Sequence, residues 1–292
     1  MKKILVIGSI NMDYTVYVNK FPEEGETLYG KGRFIQPGGK GENQAVAIAK
    51  AGKADLNFLG AIGNDNDGEQ IKKILANYKV NASLKICDGV PTGNATIVVD
   101  SSSENKIIII EGANGELKEE DINIKLLEEA DYIVLQNEIP AKTNEFIIKT
   151  GVSLGKIIVY NPAPYRAMDL SLLKGVSYII PNKIELFQLT NENDYRLGAK
   201  KLLELGVKNV LVTLGNKGSI LINEKEEIAV DAFKVNAIDT VAAGDTYVGY
   251  FTASIASGYS IKEAMNYASK ASSITVQRKG SVVSIPYGKE VY

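Results

Sequence analysis

Tyr132-Ile133-Val134-Leu135-Gln136, a helical pattern over residues 143–154, and Lys156-Ile157-Ile158-Val159-Tyr160 form the stretch on which the fold turns. Two short β-branched runs flank a segment of helical periodicity. Such a strand–helix–strand unit makes its strands parallel, because the helix carries the chain back along the sheet. The same alternation continues on both sides. Upstream, strands at 4–8 and 56–62 precede helical patterns at 43–51 and 68–78; downstream come a strand at 178–180, a helix over about 195–205 and a strand at 210–214. The expected fold is α/β, a mostly parallel central sheet with helices on both faces, in one domain over 1–292. Ligands of such sheets lie at the C-terminal strand ends.

Two stretches break the pattern: residues 14–18 with 33–36, and 95–100 with 105–110, alternate or run apolar with no helix between. They predict a small separate β-sheet, a lid built from segments of about 11–38 and 92–114, with Ser101-Ser102-Ser103-Glu104-Asn105 as a polar hairpin connection. The last third holds two helices, 243–257 capped by Gly258 and one opened by the capping box Ser260-Ile261-Lys262-Glu263.

The 292 residues are 45% hydrophobic, enough for a large core. With 33 Lys and Arg against 35 Asp and Glu, the net charge is -2, and no basic cluster marks a nucleic-acid partner. The apolar run near the N-terminus is too short for a signal sequence or a membrane span, and the single Cys87 has no internal partner, which suits a reducing cytoplasm. There is no His. That removes Ser-His-Asp and Cys-His chemistry and leaves Asp, Glu, Lys and backbone dipoles to act.

Several segments do little for a core. Asp239-Thr240-Val241-Ala242-Ala243-Gly244-Asp245-Thr246 opens a long apolar helix, where small residues expose amides to an anion and Asp245 sits in the first turn. Asn11 and Asp13 follow the first strand and share one side of an extended chain, suited to sugar hydroxyls. Gly38-Gly39-Lys40-Gly41-Glu42-Asn43-Gln44 is a glycine turn into a helix; it is not a Walker A loop. Glu138 ends an apolar strand. Asn182 and Glu185 lie one helical turn apart and could meet hydrated Mg²⁺. Thr213-Leu214-Gly215-Asn216-Lys217-Gly218 is a strand end and glycine turn able to approach a nucleotide phosphate. The first strand lacks Gly-x-Gly-x-x-Gly, which counts against a NAD-dependent oxidoreductase.

The order of these segments resembles, along essentially the full length, the family of carbohydrate and nucleoside kinases that includes ribokinase, fructokinase and adenosine kinase. The 38–43 and 239–245 blocks carry the resemblance, and Lys40 with Asn43-Gln44-Ala45, Asn11-Met12-Asp13, Asn161-Pro162-Ala163-Pro164 and Arg278-Lys279-Gly280 look like its ribokinase branch. The resemblance implies ATP-dependent phosphorylation of D-ribose at its primary hydroxyl. Within the family, 2-deoxyribose, another pentose or a nucleoside are alternative acceptors, and a non-catalytic sugar-binding regulator is a remote alternative. It casts Asp245 as catalytic base and Ala242, Ala243 and Gly244 as the anion hole. Asn11, Asp13, Gly39, Lys40, Asn43 and Glu138 take the sugar, with Ala95 and a residue near Ile110 closing over it. Asn182 and Glu185 organise Mg²⁺ and phosphate, while Thr213, Gly215, Gly218, Asn182 and Gly244 hold ATP. A monovalent cation, usually K⁺, is implied beside Asp239, Val241, Thr275, Arg278, Gly280 and Ser284, and a homodimer through the lid. Ala242 replaces a Gly common in the family; alanine tolerates helical φ/ψ, so no loss is expected there. Glu42 and Tyr247 also depart from the family's usual Ala and Phe, at positions given no role.

Overall fold

Ile4 and Val6 pack on one side of strand β1 (Lys3–Ile7), Leu5 and Ile7 on the other, and all four are buried. A strand apolar on both sides must be covered on both faces. The computed structural model, which describes residues 1–102 and 104–292, places β1 between β4 (Asp55–Gly63) and β8 (Tyr132–Leu135), parallel to both. β5 (Asn81–Cys87) closes one end of this nine-stranded sheet. Towards the other end, β9 (Ile157–Tyr160), β10 (Tyr178–Ile179) and β11 (Val210–Thr213) continue it in parallel, before β12 (Ser219–Ile222) and β13 (Glu227–Val230) add antiparallel strands. Helices α1 (Lys40–Ala51), α2 (Asn66–Asn77), α7 (Ala243–Ala256), α8 (Ile261–Thr275) and the short α9 (Gly288–Val291) supply one buried cluster. Helices α3 (Ile124–Glu129), α4 (Ala141–Ser153), α5 (Lys183–Thr190) and α6 (Tyr195–Glu204) supply the other.

The two irregular stretches do form a second sheet of four strands: β3 (Gly32–Gly38), β2 (Asn11–Tyr17), β6 (Asn94–Val99) and β7 (Asn105–Ile110), in that order. Two antiparallel pairs, β2 with β3 and β6 with β7, join through a parallel β2–β6 contact. The expected 101–105 connection includes Ser103, which lies outside the described residues. Polar ties fasten this sheet to the larger one. Asp65 accepts from the Thr92 amide and hydroxyl, both at 2.7 Å, and Gln36 accepts from the Ser281 amide at 2.8 Å.

The sequence reading did not anticipate β5 or β13. Both are edge strands, the first mixing Asn81, Ser83 and Lys85 with its apolar residues and the second only four residues long, so neither gives an apolar run. Helix α1 also begins at Lys40, three residues before the expected start. Its early start depends on Gly39, at φ 88°, which turns the chain so that Asn43 N–H reaches the Gly39 carbonyl.

Helices α1 and α7 approach closely at Gly249. A Cβ added there would lie 2.4 Å from Ala47 Cβ and 2.9 Å from the Gln44 carbonyl oxygen. Gly249→Ala is therefore expected to push the helices apart and cost about 1–3 kcal/mol, read as a lower urea midpoint; an unchanged midpoint would show that the helices are not held this tightly.

Candidate active site

The loops following β8, β9, β10 and β11 all leave the same, C-terminal edge of the large sheet, and they meet there with the starts of α1 and α7. Asp245 lies buried in the first turn of α7. Asn43 Nδ2 donates to its Oδ2 and Gln44 Nε2 to its Oδ1, each at 3.0 Å. The first α-helical bond of α7 runs from Thr246 N–H to the Ala242 carbonyl at 2.8 Å. The preceding amides of Gly244 and Asp245 therefore open outward with the positive end of the helix dipole.

Ala242 corrects an expectation. It is not helical: as the residue capping α7 it takes a left-handed conformation, φ 59° and ψ 6°. An L-residue there is strained by about 1–2 kcal/mol, so alanine at this position carries a cost that glycine would not. The left-handed turn is what swings the chain from Val241 into the helix.

The polar crevice between the sheets is built from Asn11, Asp13, Lys40, Asn43 and Glu138. Glu138 Oε2 accepts from the Ser9 hydroxyl at 2.5 Å and from the Lys40 amide at 2.9 Å, tying three segments together. Asn11 Oδ1 accepts from Asn114 Nδ2 at 2.8 Å, and Asn114 also bonds both the amide and the carbonyl of Ile10. Burial, with the Glu138 charge adding to it, pushes the Asp13 carboxyl up from 3.8 to about 7, against a bond from the Ala95 amide. Asp13 Oδ1 and Asn43 Oδ1 are buried without protein partners. Groups left this way are costly and are normally satisfied by a ligand or water. For Lys40, burial opposes the charge, but the carboxylates of Asp245, Glu138 and Glu185 outweigh it and hold the ammonium above its usual range.

Glu42, to which the sequence reading gave no role, is wholly buried, and neither carboxyl oxygen has a partner. Burial, and secondarily the nearby Asp13 charge, raise its pKa well above the usual range and favour the neutral acid.

Thr213, Gly215, Gly218, Ala243 and Gly244 line a cavity of about 620 Å³ together with the apolar Phe233, Val235 and Val276 and with Tyr247. Asn182, Thr213 and Gly215 line an adjoining one of about 580 Å³. Both are of ligand size. Asn182 and Glu185 form a reciprocal capping box, each accepting from the other's amide at 2.8 Å. The plain helix cap is thus present, and Glu185 Oε1 has no protein bond among the described residues. Burial raises the Glu185 carboxyl, partly countered by the Asn182 amide and the Lys40 charge.

Of the six positions implied for a monovalent cation, Asp239 is bonded to the Val241 and Gly280 amides, both at 3.0 Å, and Ser284 is wholly buried in the same 280–284 loop. The side chains of Thr275 and Arg278 are engaged elsewhere, with Thr246 and with Glu290 respectively. The Thr275 carbonyl also accepts from the Arg278 amide at 3.0 Å, which leaves the Arg278 carbonyl as the group of the pair without a protein bond among the described residues. In the lid, Ala95 is buried facing Asp13, whereas Ile110 pairs with Asn94 and is half exposed.

Sequence reasoning missed Ser9, Gln44, Asn114, Gln136 and Asn161 as site residues. Gln44 Nε2 also donates to Asn161 Oδ1 at 3.1 Å, and Gln136 Nε2 donates to Gln44 Oε1 at 2.7 Å. A glutamine inside an apolar helix, and another closing an apolar strand, were the available signals.

A buried carboxylate beside outward-facing helix amides, with a cluster of polar side chains on one side and ligand-sized cavities on the other, is the arrangement of a phosphotransferase acting on a small alcohol. Comparison with known proteins agrees. The pfkB family carbohydrate kinase model matches residues 1–287. A ribokinase of Schizosaccharomyces pombe is 37% identical over 100% of this chain and 97% of that protein. A deoxyribokinase of Salmonella typhi is 36% identical over 97% of this chain and 95% of its own length. The structure of an Arabidopsis thaliana ribokinase complexed with ribose and ATP superimposes with a TM-score of 0.92, at 31% identity, covering 100% of this chain and 98% of that one. The chain belongs to the pfkB family of carbohydrate kinases and is an ATP-dependent sugar kinase.

Asp13 gives a test that needs no activity. Its carboxyl titrates near 7 folded against an ordinary 3.8, so between those values the folded chain holds more protons than the unfolded one. Stability from this group is present at low pH and lost as pH rises through that window. Asp13→Asn should leave the melting temperature nearly unchanged at about pH 4 and raise it above about pH 7. A gain independent of pH would remove Asp13 as the strained group.

Proposed function

We propose that this kinase transfers the γ-phosphoryl group of ATP to the primary hydroxyl of D-ribose, giving D-ribose 5-phosphate. The observation that carries the reading is the Asp245 carboxylate, held by Asn43 and Gln44 where the polar crevice meets the amides of α7. In this reading Asn11, Asp13, Gly39, Lys40, Asn43 and Glu138 bind the sugar, and Ala95 covers it from the lid. Asp245 takes the proton of the attacking hydroxyl, and the Ala242–Gly244 turn with the Asp245 amide receives the phosphoryl charge. Lys40, raised in pKa by its carboxylate neighbours, stays cationic and adds to that stabilisation. Thr213, Gly215 and Gly218 let the nucleotide approach the backbone.

A divalent ion fits beside Glu185, whose half-buried carboxyl keeps one oxygen without a protein bond among the described residues. Among the described residues no three acidic, Cys or His groups converge to hold a metal. Mg²⁺ would therefore arrive with the ATP phosphates, held through Asn182 and Glu185 by way of water. Bound there, it would neutralise phosphate charge. K⁺ fits the loop of Asp239, Val241, Thr275, Arg278, Gly280 and Ser284, which offers one carboxylate, one hydroxyl and backbone carbonyls, the hard oxygen donors such an ion takes. The chain acts as one unit in the cytoplasm, with the 11–38 and 92–114 segments as its lid.

Deoxyribose is the second reading, favoured by the deoxyribokinase relative. Relative turnover of ribose and 2-deoxyribose ranks the two. Asp245→Asn is expected to keep the fold and sugar binding and to lower kcat by a factor on the order of 10² or more. Near-normal turnover would remove Asp245 as the base.

Ile107, Ile108, Ile109 and Ile110 are all exposed on β7, an edge strand. Four exposed isoleucines on an open edge need a cover, and the reading supplies a second copy, pairing lid to lid. Sedimentation should show a dimer that Ile108→Glu converts to monomer; a parent chain that is monomeric at assay concentration overturns it.

A further inference from the structure

Gln44 sits one residue beyond Asn43 on α1, is fully buried, and lines neither of the two cavities beside Thr213 and Gly215. Its amide can lie in one orientation only. The Asp245 carboxylate can only accept, so the Gln44 atom facing its Oδ1 is Nε2, which leaves Oε1 to accept from Gln136 Nε2 at 2.7 Å. Nε2 lies 3.0 Å from Asp245 Oδ1 and 3.1 Å from Asn161 Oδ1. Asn161 is fixed in turn, because its Nδ2 donates to the Ile180 carbonyl at 2.8 Å. Each link is buried. A run of amides thus reaches from the end of β8 through α1 to the first turn of α7, with a second arm to the ends of β9 and β10.

We propose that Gln44 is a positioning residue for the phosphoryl-transfer reaction: it sets the direction of the Asp245 carboxylate by holding Oδ1, and it is itself aligned by Gln136 and Asn161. The proposal deepens the reading of Asp245 as the base and rests on it. Asn43 grips only Oδ2. One bond leaves a carboxylate free to rotate about its last torsion, which is soft; two donors on opposite oxygens stop that rotation. Each oxygen keeps a second lone pair, so the carboxylate stays able to accept the sugar proton while its plane is fixed. Reaction rates depend steeply on such alignment, and misplacement by about 1 Å can cost 10²-fold.

The test measures kcat and both KM values for Gln44→Leu, Gln136→Leu, Asp245→Asn and the Gln44→Leu/Asp245→Asn double variant, with thermal unfolding of each. Gln44→Leu should lower kcat about 10- to 100-fold with KM for D-ribose and ATP within about twofold, since a misdirected base harms the transition state and not binding. Gln136→Leu, which leaves both bonds to Asp245 available but frees the Gln44 amide, should lower kcat less, about three- to tenfold. Added to Asp245→Asn, Gln44→Leu should cost no more than about twofold further, because the group it aligns is already disabled. An unchanged kcat in Gln44→Leu overturns the proposal. So does a loss that is equally large in the Asp245→Asn background, which marks a packing role. Should Gln44→Leu fail to fold, Gln136→Leu with and without Asp245→Asn decides by the same criterion. Normal turnover by Asp245→Asn alone would instead sink the base reading, a distinct outcome.

Discussion

The contact between α1 and α7 at Gly249 is the constraint from which the rest of the site follows. These two helices cover the same face of the large sheet, and their N-termini carry the groups that must meet: Lys40, Asn43 and Gln44 on one, Asp245 and the open amides on the other. A separation larger by one methyl group would stretch two 3.0 Å bonds beyond useful range. Apolar packing well below the crevice thus determines hydrogen-bond lengths within it.

Charge is the second organising fact. Asp245, Glu138 and Glu185 act on the ammonium of Lys40, while Asp13 feels the charge of Glu138 and Glu42 that of Asp13. Such a crowd of carboxyl groups is tolerated because burial holds some of them protonated and backbone amides hold others. Asp13 Oδ1 and Asn43 Oδ1, like both Glu42 oxygens, are left without a protein partner. In the proposed reading, hydroxyl groups of the sugar would satisfy the Asp13 and Asn43 oxygens.

Much of this was legible in the chain and some was not, for physical reasons. Apolar runs such as 132–136 and 156–160 announce a buried parallel sheet because no other environment accepts them. The absence of helices between 11 and 38 and between 92 and 114 announced the second sheet. Edge strands β5 and β13, one mixed in polarity and the other short, gave no such signal. The Asn182–Glu185 spacing read equally as cap or ligand, and the structure shows the cap. The amide chain of Gln136, Gln44 and Asn161 was invisible, since its members are 92 and 117 residues apart and only the folded sheet joins them. Ala242 was misjudged because backbone conformation at a helix entry is set by the turn before it, not by the helix after it.

Strand β2 carries Asn11 and Asp13 within the small sheet, while Asp245 belongs to a helix packed on the large one. In the proposed reading, part of acceptor recognition therefore sits in the small sheet, while Lys40, Asn43 and Glu138 meet the sugar from the same body that carries the base. Substitutions on the lid strands can reshape what the crevice admits while the helix that bears the base stays untouched. A fold divided in this way is free to diversify its diet through one small sheet and to inherit its reaction unchanged.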